Sequence, residues 1–321
     1  MSEGTPNAQE AAAALRPVLE ELEGERRRAL SRVTLAWASA GLAAAAVALA
    51  AFALQRFGLL IAAALALAAG GAVAAHFTKA FASAFKARVI GPVVSAFNPT
   101  FRYAPADGIS REAFRAAGIF QHRIDRYRCE DLVQGRVGQT AVRFSEVHAE
   151  YKTESRDSKG RRHTHWHTIF RGLFFVGDFN KHFAGATYVL PDTAQRLFGS
   201  FGQTLQSWGA SHGELVKLED PEFEQAFAVF STDQVEARYI LSPSLMRRLL
   251  DFRNRSGASV YFAFVSSSVV VALSLSRDLF EPSLSRSLLD PELLRQYWED
   301  LELASGLVEE LDLNTRIWTK A

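Results

Sequence analysis

One apolar stretch near the N-terminus decides the fold class: residues 33–77, VTLAWASAGLAAAAVALAAFALQRFGLLIAAALALAAGGAVAAHF. It contains two runs without a charged residue, 33–54 and 57–77, separated only by Gln55 and Arg56. Each run has about 20 residues, the length at which a helix crosses the hydrocarbon core of a bilayer. Because so short a connection allows only a tight turn, the sequence predicts a hairpin of two antiparallel transmembrane helices.

The two runs combine small residues, which favour close packing of the helices, with larger apolar residues, which favour insertion into a membrane. Alanine and the Gly70-Gly71 pair allow two helices to approach closely. A buried hairpin in a soluble protein is the competing interpretation, but it needs a polar face, and neither run has one. The apolar stretch also begins too late, at Val33, to be typical of a signal peptide. The larger apolar residues are Leu35, Trp37, Leu42, Val47, Leu49, Phe52 and Leu54, then Leu59, Leu60, Ile61, Leu65, Leu67 and Val73.

Charges beside the runs predict their orientation. Only Arg56 lies at the turn, whereas the other ends of both runs are basic. The positive-inside rule then predicts a multi-pass protein with both termini in the cytosol. The basic residues concerned are Arg26, Arg27, Arg28 and Arg32 before the first run and Lys79, Lys86 and Arg88 after the second.

The flanks of the hairpin have helical periodicity. Phe77, Phe81 and Phe85 recur every four residues, which is typical of a helix lying at the membrane interface. Before the hairpin, Leu15 and Leu19 indicate a helix that either self-associates or packs on the soluble domain. The predicted organisation is a cytosolic lead-in helix over 1–32, the hairpin over 33–77, an interfacial helix and linker over 78–97, and a cytosolic domain over 98–321.

The rest of the chain shifts toward the period-two pattern of β-strands. The rhythm of a parallel βαβ sheet is missing. We therefore expect an α+β chain: the transmembrane hairpin, then a mainly antiparallel β domain with flanking helices, as one bent sheet or a partly closed barrel. The predicted strands are 132–137, 140–147, 169–175, 187–190, 227–230, 235–241, 260–265 and 269–275, and the predicted helices are 110–118, 192–198, 243–252 and 291–311.

Charge and cysteine content exclude some functions. The 36 basic and 35 acidic residues give a net charge of +1, so nothing indicates a nucleic-acid partner. One cysteine, Cys129, allows neither an internal disulfide nor a thiolate zinc site. No nucleophile elbow, phosphate-binding glycine loop or dinucleotide fingerprint occurs, so we assign no catalytic residue and no cofactor.

The stretch from Arg156 to His167 allows three interpretations. His163, His165 and His167 would share one face of a strand, as zinc or copper ligands can. The preceding polar run instead indicates the exposed tip of a long hairpin, which makes these histidines weak metal candidates. The basic residues of that tip could contact anionic lipid or simply be solvated. They are Arg156, Lys159, Arg161 and Arg162.

Two further clusters are open to more than one interpretation. Asp178, Asn180 and Lys181 follow an apolar strand, where they could contact a ligand or partner, or could only cap a turn. Glu236 and Arg238 would share a strand face and form a structural ion pair.

Several blocks of this chain resemble a bacterial family named domain of unknown function 3137. The resemblance implies a bacterial membrane protein with two N-terminal spans, here in the inner membrane, and it implies no activity or residue role. The blocks are Glu130-Asp131-Leu132-Val133 with Gly135, Phe144-Ser145-Glu146, Gly172-Leu173-Phe174-Phe175, Asp178-Phe179-Asn180-Lys181, Thr187, Pro191-Asp192, the run from Asp233 to Pro243, and Leu311 with Asn314.

These observations favour a membrane-tethered cytosolic interaction or scaffold domain. Its expected partners are the lipid bilayer and another protein, with a homo-oligomer possible. The alternative is a membrane-anchored enzyme or small-ligand sensor that uses the Asp178 region. A concave cleft there would favour the sensor, and an exposed flat surface would favour the interaction domain.

Overall fold

The computed structural model describes residues 8–157, 160–179, 182–191 and 212–314. It confirms the α+β class: two long apolar helices precede an antiparallel sheet with flanking helices. The chain forms two compact units. The helical unit contains the residues up to Phe97 together with Phe280–Trp298, and the sheet unit contains Asn98–Leu279 and the residues from Glu299 onward.

The helical unit begins with a 46-residue helix, α1 (Ala8–Ala53), so the lead-in and the first apolar run are continuous. After a turn and a single 3₁₀ turn, α2 (Leu60–Phe85) forms the second arm of the hairpin. A π-helical turn, Lys86–Ile90, then leads into α3 (Gly91–Phe97). By length and composition, α1 and the helical stretch Phe57–Phe97 could each cross a membrane.

Small residues face one another along the hairpin, and large apolar residues face outward. A Cβ atom on Gly70 would lie only 2.4 Å from the Cβ of Ala40, so the backbones are in close contact there. Leu42 and Leu49, in contrast, are 74% and 72% exposed. The buried small residues are Ala40, Ala44, Ala51, Ala63, Gly70 and Ala74.

Outside the apolar runs, the helical unit has an ordinary core. Leu22 is fully buried, and so is Phe85, whose ring centroid lies 5.9 Å from that of Tyr297. The buried Lys86 pairs with Glu281 at 2.9 Å. The interfacial helix expected over 78–97 stays a prediction, although Phe85 in that stretch packs against protein.

The sheet unit is built on nine antiparallel strands in the described residues, in the order β1-β2-β3-β4-β9-β8-β5-β7-β6. Since β1 and β6 are at opposite ends of this order and do not pair, the strands form one sheet that is not closed by hydrogen bonds between its two edges. The strands are β1 Arg102–Ala104, β2 Arg126–Val137, β3 Thr140–Arg156, β4 Arg162–Asp178, β5 Ala186–Pro191, β6 Glu214–Leu215, β7 Phe227–Ser231, β8 Val260–Val265 and β9 Ser268–Ser274.

Helices flank this sheet, and aromatic rings fill its core. Phe114 packs against Phe170 and Phe174, with centroids 6.0 and 4.9 Å away. The described helices are α4 Arg111–Ala116, α5 Pro221–Ala226, α6 Gln234–Ile240, α7 Pro243–Ser256 and α8 Pro291–Glu310, whose residues up to Trp298 are in the helical unit.

One predicted strand, 235–241, is helical. Asp233 caps α6 by accepting hydrogen bonds from the backbone N–H groups of Val235 and Glu236. The expected ion pair between Glu236 and Arg238 was therefore also wrong, since the Glu236 carboxylate accepts from the backbone of Ala184 and Gly185 instead. The predicted helix 192–198 lies outside the described residues.

Candidate functional site

The ends of β3 and β4 project beyond the neighbouring strands. Pairing of β2 with β3 stops at Arg126 and Glu150, and pairing of β9 with β4 stops at Gly172. Residues 151–156 and 162–167, here called the β3–β4 ribbon, form strand pairs only with each other in the parts of the chain that the structure describes. This ribbon is exposed over nearly all of its length.

Aromatic contacts fix the base of the ribbon. The Tyr151 ring stacks between His122 and His167, with centroid distances of 4.6 and 4.8 Å. Next to His167 in the chain, the Trp166 ring lies under the guanidinium of Arg126, with 3.9 Å between the guanidinium carbon and the ring centroid. These stacks hold a solvent-exposed element in a defined direction relative to the sheet.

The predicted histidines lie along the ribbon. Nε2 of His163 is 3.5 Å from Asp157, and Nε2 of His167 is 2.9 Å from the Thr153 hydroxyl. No group of three metal-ligating side chains is assembled within the described ranges, and metal binding at His163, His165 and His167 stays a prediction.

The predicted basic tip is only partly described. Arg156, Arg161 and Arg162 are exposed, and Arg162 pairs with Glu154 at 3.2 Å. Lys159 lies outside the described residues. Contact of this tip with anionic lipid stays a prediction.

A polar pocket of about 260 Å³ lies on the sheet near Glu146, and we call it the Glu146 pocket. Glu146 is directly opposite Glu130 on β2, while His148 is between Arg128 and Arg171 in the cross-strand register. Asp278 enters from the segment after β9. The lining residues are Arg128, Cys129, Glu130, Glu146, His148, Arg171 and Asp278.

Two carboxyl groups share a proton in this pocket. Burial raises the pKa of Glu146 well above its usual range, and its hydrogen bond with Asp278 adds to this. Burial opposes ionisation of Asp278 as well, but hydrogen bonds from Arg171 and Glu146 bring the pKa of Asp278 below its usual value. Near neutral pH, Glu146 is thus a hydrogen-bond donor to a carboxylate. Burial also lowers the pKa of His148, which keeps this imidazole neutral.

A second, larger hollow lies at the end of β3 and β4 that is opposite the ribbon. It is an open cleft of about 570 Å³ containing Asp178, and we call it the Asp178 cleft. Of the three residues predicted there, Asn180 and Lys181 lie outside the described residues, so only Asp178 can be placed. The lining residues are Thr100, Arg102, Gln134, Gly135, Ala141, Val142, Arg143, Val176, Gly177, Asp178, Ser267 and Ser268.

The sequence did not point to the two arginines of this cleft. Arg102, Gln134, Arg143 and Val176 are consecutive cross-strand partners on β1 to β4 and so share one face of the sheet. The residues are far apart in the chain, and no local motif marks them.

Many residues of the family blocks have structural roles. Asn314 accepts hydrogen bonds from Gln139 N and the Thr140 hydroxyl, which anchors the β2–β3 turn. Asp131 adopts a φ of 61° at a bulge in β2 and accepts a hydrogen bond from the Tyr103 hydroxyl. These two residues therefore stabilise the fold.

Comparison with known proteins gives a family match over part of the chain and no activity. No curated protein matches the chain. Among solved structures, the mycobacterial trehalose monomycolate transport factor A, TtfA, aligns with 63% of this chain and 88% of its own, at 10% identity and a TM-score of 0.31. A TM-score this low supports no conclusion about function. Residues 168–313 match the model described as "Protein of unknown function (DUF3137)", which confirms the family resemblance over that part of the chain.

Proposed function

We propose that this protein is a membrane-tethered interaction domain: the apolar helices hold it at a bilayer, and the β3–β4 ribbon docks a partner protein. The observation that carries the proposal is the ribbon itself. An element that buries so little surface contributes little to folding, since stability comes mainly from apolar burial. Its rigid base and exposed length fit a binding element.

The chemistry of the ribbon favours a polypeptide partner. Residues 152–156 have no strand beside them on the β2 side, and 162–170 have none on the β9 side, within the described ranges. Unpaired strand edges present backbone N–H and C=O groups to which an extended peptide can add as a further strand. Because Lys152, Arg156, Arg161 and Arg162 outnumber Glu154 and Asp157 here, we expect an acidic segment.

The outward face of the hairpin supports the tether. Leu35, Phe52 and Ile61 are 69%, 71% and 69% exposed, which in water would leave a large apolar surface uncovered. In lipid the same surface is stable, and the small residues between the helices suit membrane packing. With the basic flanks, we propose that the sheet unit is cytosolic in a bacterial cell.

The docking proposal is tested by shortening the ribbon. Thr153 and His165 are directly opposite each other, so residues 154–164 can be replaced by Asn-Gly, a two-residue hairpin turn. The Tyr151–His167 and Arg126–Trp166 stacks remain. A photo-crosslinker placed at the exposed Lys152, which both chains retain, should give a protein adduct of discrete mass for the full chain in native membranes. The shortened chain should lose this adduct at an unchanged melting temperature.

A charge-reversed ribbon serves as the matched control. The double variant Arg161→Glu, Arg162→Glu keeps the strand edges but reverses the tip charge, and it should weaken the adduct without removing the ribbon. Adducts to lipid only, or a discrete adduct that survives the shortening, would show that the ribbon is not a protein-docking element.

The orientation has its own test. Gly58 is at the turn of the hairpin, and a Cβ atom there would meet no atom within 4 Å, so Gly58→Cys is sterically tolerated. In a Cys129→Ala background, a membrane-impermeant maleimide should label this cysteine from the periplasmic side of spheroplasts. Labelling only after the cells are lysed would reverse the proposed orientation.

A second candidate function is a small-ligand sensor, and the Asp178 cleft favours it. The cleft is concave and within the size range of small-molecule sites, about 300–1,000 Å³. A sensor and an interaction domain are compatible in one chain, because the cleft and the ribbon are at opposite ends of β3 and β4. Arg143 and Lys152 are nine positions apart on β3, about 30 Å of extended strand.

A further inference from the structure

Two arginines line the Asp178 cleft, and neither forms an ion pair with a described residue. Arg102 and Arg143 are exposed, and they have no ion-pair, hydrogen-bond or ring partner among the residues that the structure describes. Arg136, by contrast, donates to the carbonyl of Gln139. A guanidinium carries five N–H donors in a planar fork that matches carboxylate and phosphate oxygens.

The register of the strands places the two guanidinium groups around one volume. Arg102 is paired with Gln134, and Gln134 with Arg143, so the arginines flank β2 on the same face. Two strand spacings separate their backbones, about 10 Å. Arginine side chains are long enough to converge across that distance on a single anionic group above Gln134.

The remaining walls indicate an organic ligand. Val176 adds apolar surface, while Asp178, Ser267 and Ser268 bring polar groups to the far side. At about 570 Å³ the cleft has the size of a metabolite site. Two adjacent cations facing one hollow repel each other, and a bound anion removes that repulsion.

We propose that the Asp178 cleft binds a small organic anion carrying a phosphate or carboxylate group, with Arg102 and Arg143 as its charged ligands. The site is distinct from the ribbon and does not depend on the docking function. Gln134, between the two arginines, is placed to hydrogen-bond the same anion.

The test is calorimetric titration of the full chain in neutral detergent at low ionic strength. The probes are inorganic pyrophosphate and citrate, titrated separately. We expect saturable binding of at least one probe. Arg102→Gln and Arg143→Gln should each weaken it by about tenfold or more, because a hydrogen bond to a charged group is lost. Binding of pyrophosphate alone would name a phosphate ligand, and binding of citrate alone a carboxylate ligand.

Arg115→Gln is the matched control, since it removes the same charge from an exposed position on α4, outside the cleft. It should leave the affinity within about twofold, as expected for a distant screened charge. All three arginines are exposed, so the variants should melt at the wild-type temperature. Absence of saturable binding of both probes, or an equal loss in Arg115→Gln, would overturn the proposal.

Discussion

The helical unit and the sheet unit place the same kinds of apolar side chain in opposite positions. In the apolar runs, Leu42 is 74% exposed while Ala40 and Gly70 are buried against each other. In the sheet unit, Phe174 is fully buried. A hydrophobic residue thus indicates a core only when its surroundings are water, and the inverted order of the hairpin is the one expected in lipid.

The largest expected effect separates these two arrangements directly. Phe174→Ala removes a ring packed against Phe114 and Phe170, and should lower the free energy of unfolding by about 3–5 kcal/mol. Leu42→Ala removes an outward-facing side chain and should change it by less than about 0.5 kcal/mol. Urea unfolding of the full chain in neutral detergent, followed by circular dichroism, measures both.

The comparison fails if Leu42→Ala is as damaging as Phe174→Ala. That result would mean that the outer face of the hairpin packs against protein. Phe174→Leu refines the measurement, because it keeps most of the apolar volume and should recover more than half of the loss.

A smaller effect concerns the inner face of the hairpin. Gly70→Leu would place a side chain where a Cβ atom alone would lie 2.4 Å from the Cβ of Ala40, and should cost about 2 kcal/mol through helix separation. Gly41→Leu is the control, since a Cβ there meets nothing within 4 Å. Thermal stability in detergent should fall only for Gly70→Leu. Equal melting temperatures for the two variants would argue against close packing at Gly70.

Each unit also contains a buried carboxyl group, and their pKa values move in opposite directions. In the helical unit, hydrogen bonds from Arg26 lower the pKa of Glu23 from 4.5 to about 2, against the effect of burial. In the sheet unit, burial raises the pKa of Glu146. The difference arises because Glu23 accepts from cations, whereas Glu146 faces the Asp278 carboxylate.

These shifts give opposite dependences of stability on pH. Glu23 stabilises above pH 4.5, its ordinary value, and that contribution is lost as pH falls toward about 2. Glu146 keeps a proton in the folded state that the unfolded state releases above 4.5, so its contribution is lost as pH rises through the raised pKa. Each of these groups changes the free energy of unfolding by at most about 1.4 kcal/mol per pH unit.

Glu146→Gln isolates the contribution of Glu146 to this pH dependence. The amide copies the protonated acid, because it can donate to Asp278 and still accept from the backbone N–H of Leu279. We expect near wild-type stability at pH 4 and a smaller loss than wild type as pH rises from about 4.5 to about 8, measured by urea unfolding. Parallel pH profiles for the two proteins would show that Glu146 is already ionised at neutral pH.

The sequence predicted what depends on length and local pattern. The apolar runs are recognisable because they lack charge over about 20 residues, and the predicted strand 260–265 coincides with β8. The pockets could not be predicted in this way, because the strand order brings together residues that are far apart in the sequence. Glu146 meets Asp278 in one pocket, and Arg102 shares a sheet face with Arg143 in the other. The histidines and Asp178 were visible as local clusters, but a cluster in sequence does not reveal whether a cleft surrounds it.

The helix α6 shows how a local signal can be overlooked and suggests the smallest of these effects. Its apolar residues at 235, 237, 239 and 241 alternate as in a strand, yet Asp233 caps two N–H groups and starts a helix. Asp233→Ala should cost about 1 kcal/mol of unfolding free energy, the usual value of such a cap. Asp233→Asn retains an acceptor oxygen and should lose less than half as much in the same unfolding assay. If both variants are neutral, the anchoring of Glu236 by Ala184 and Gly185, rather than the cap, decides that this segment is helical.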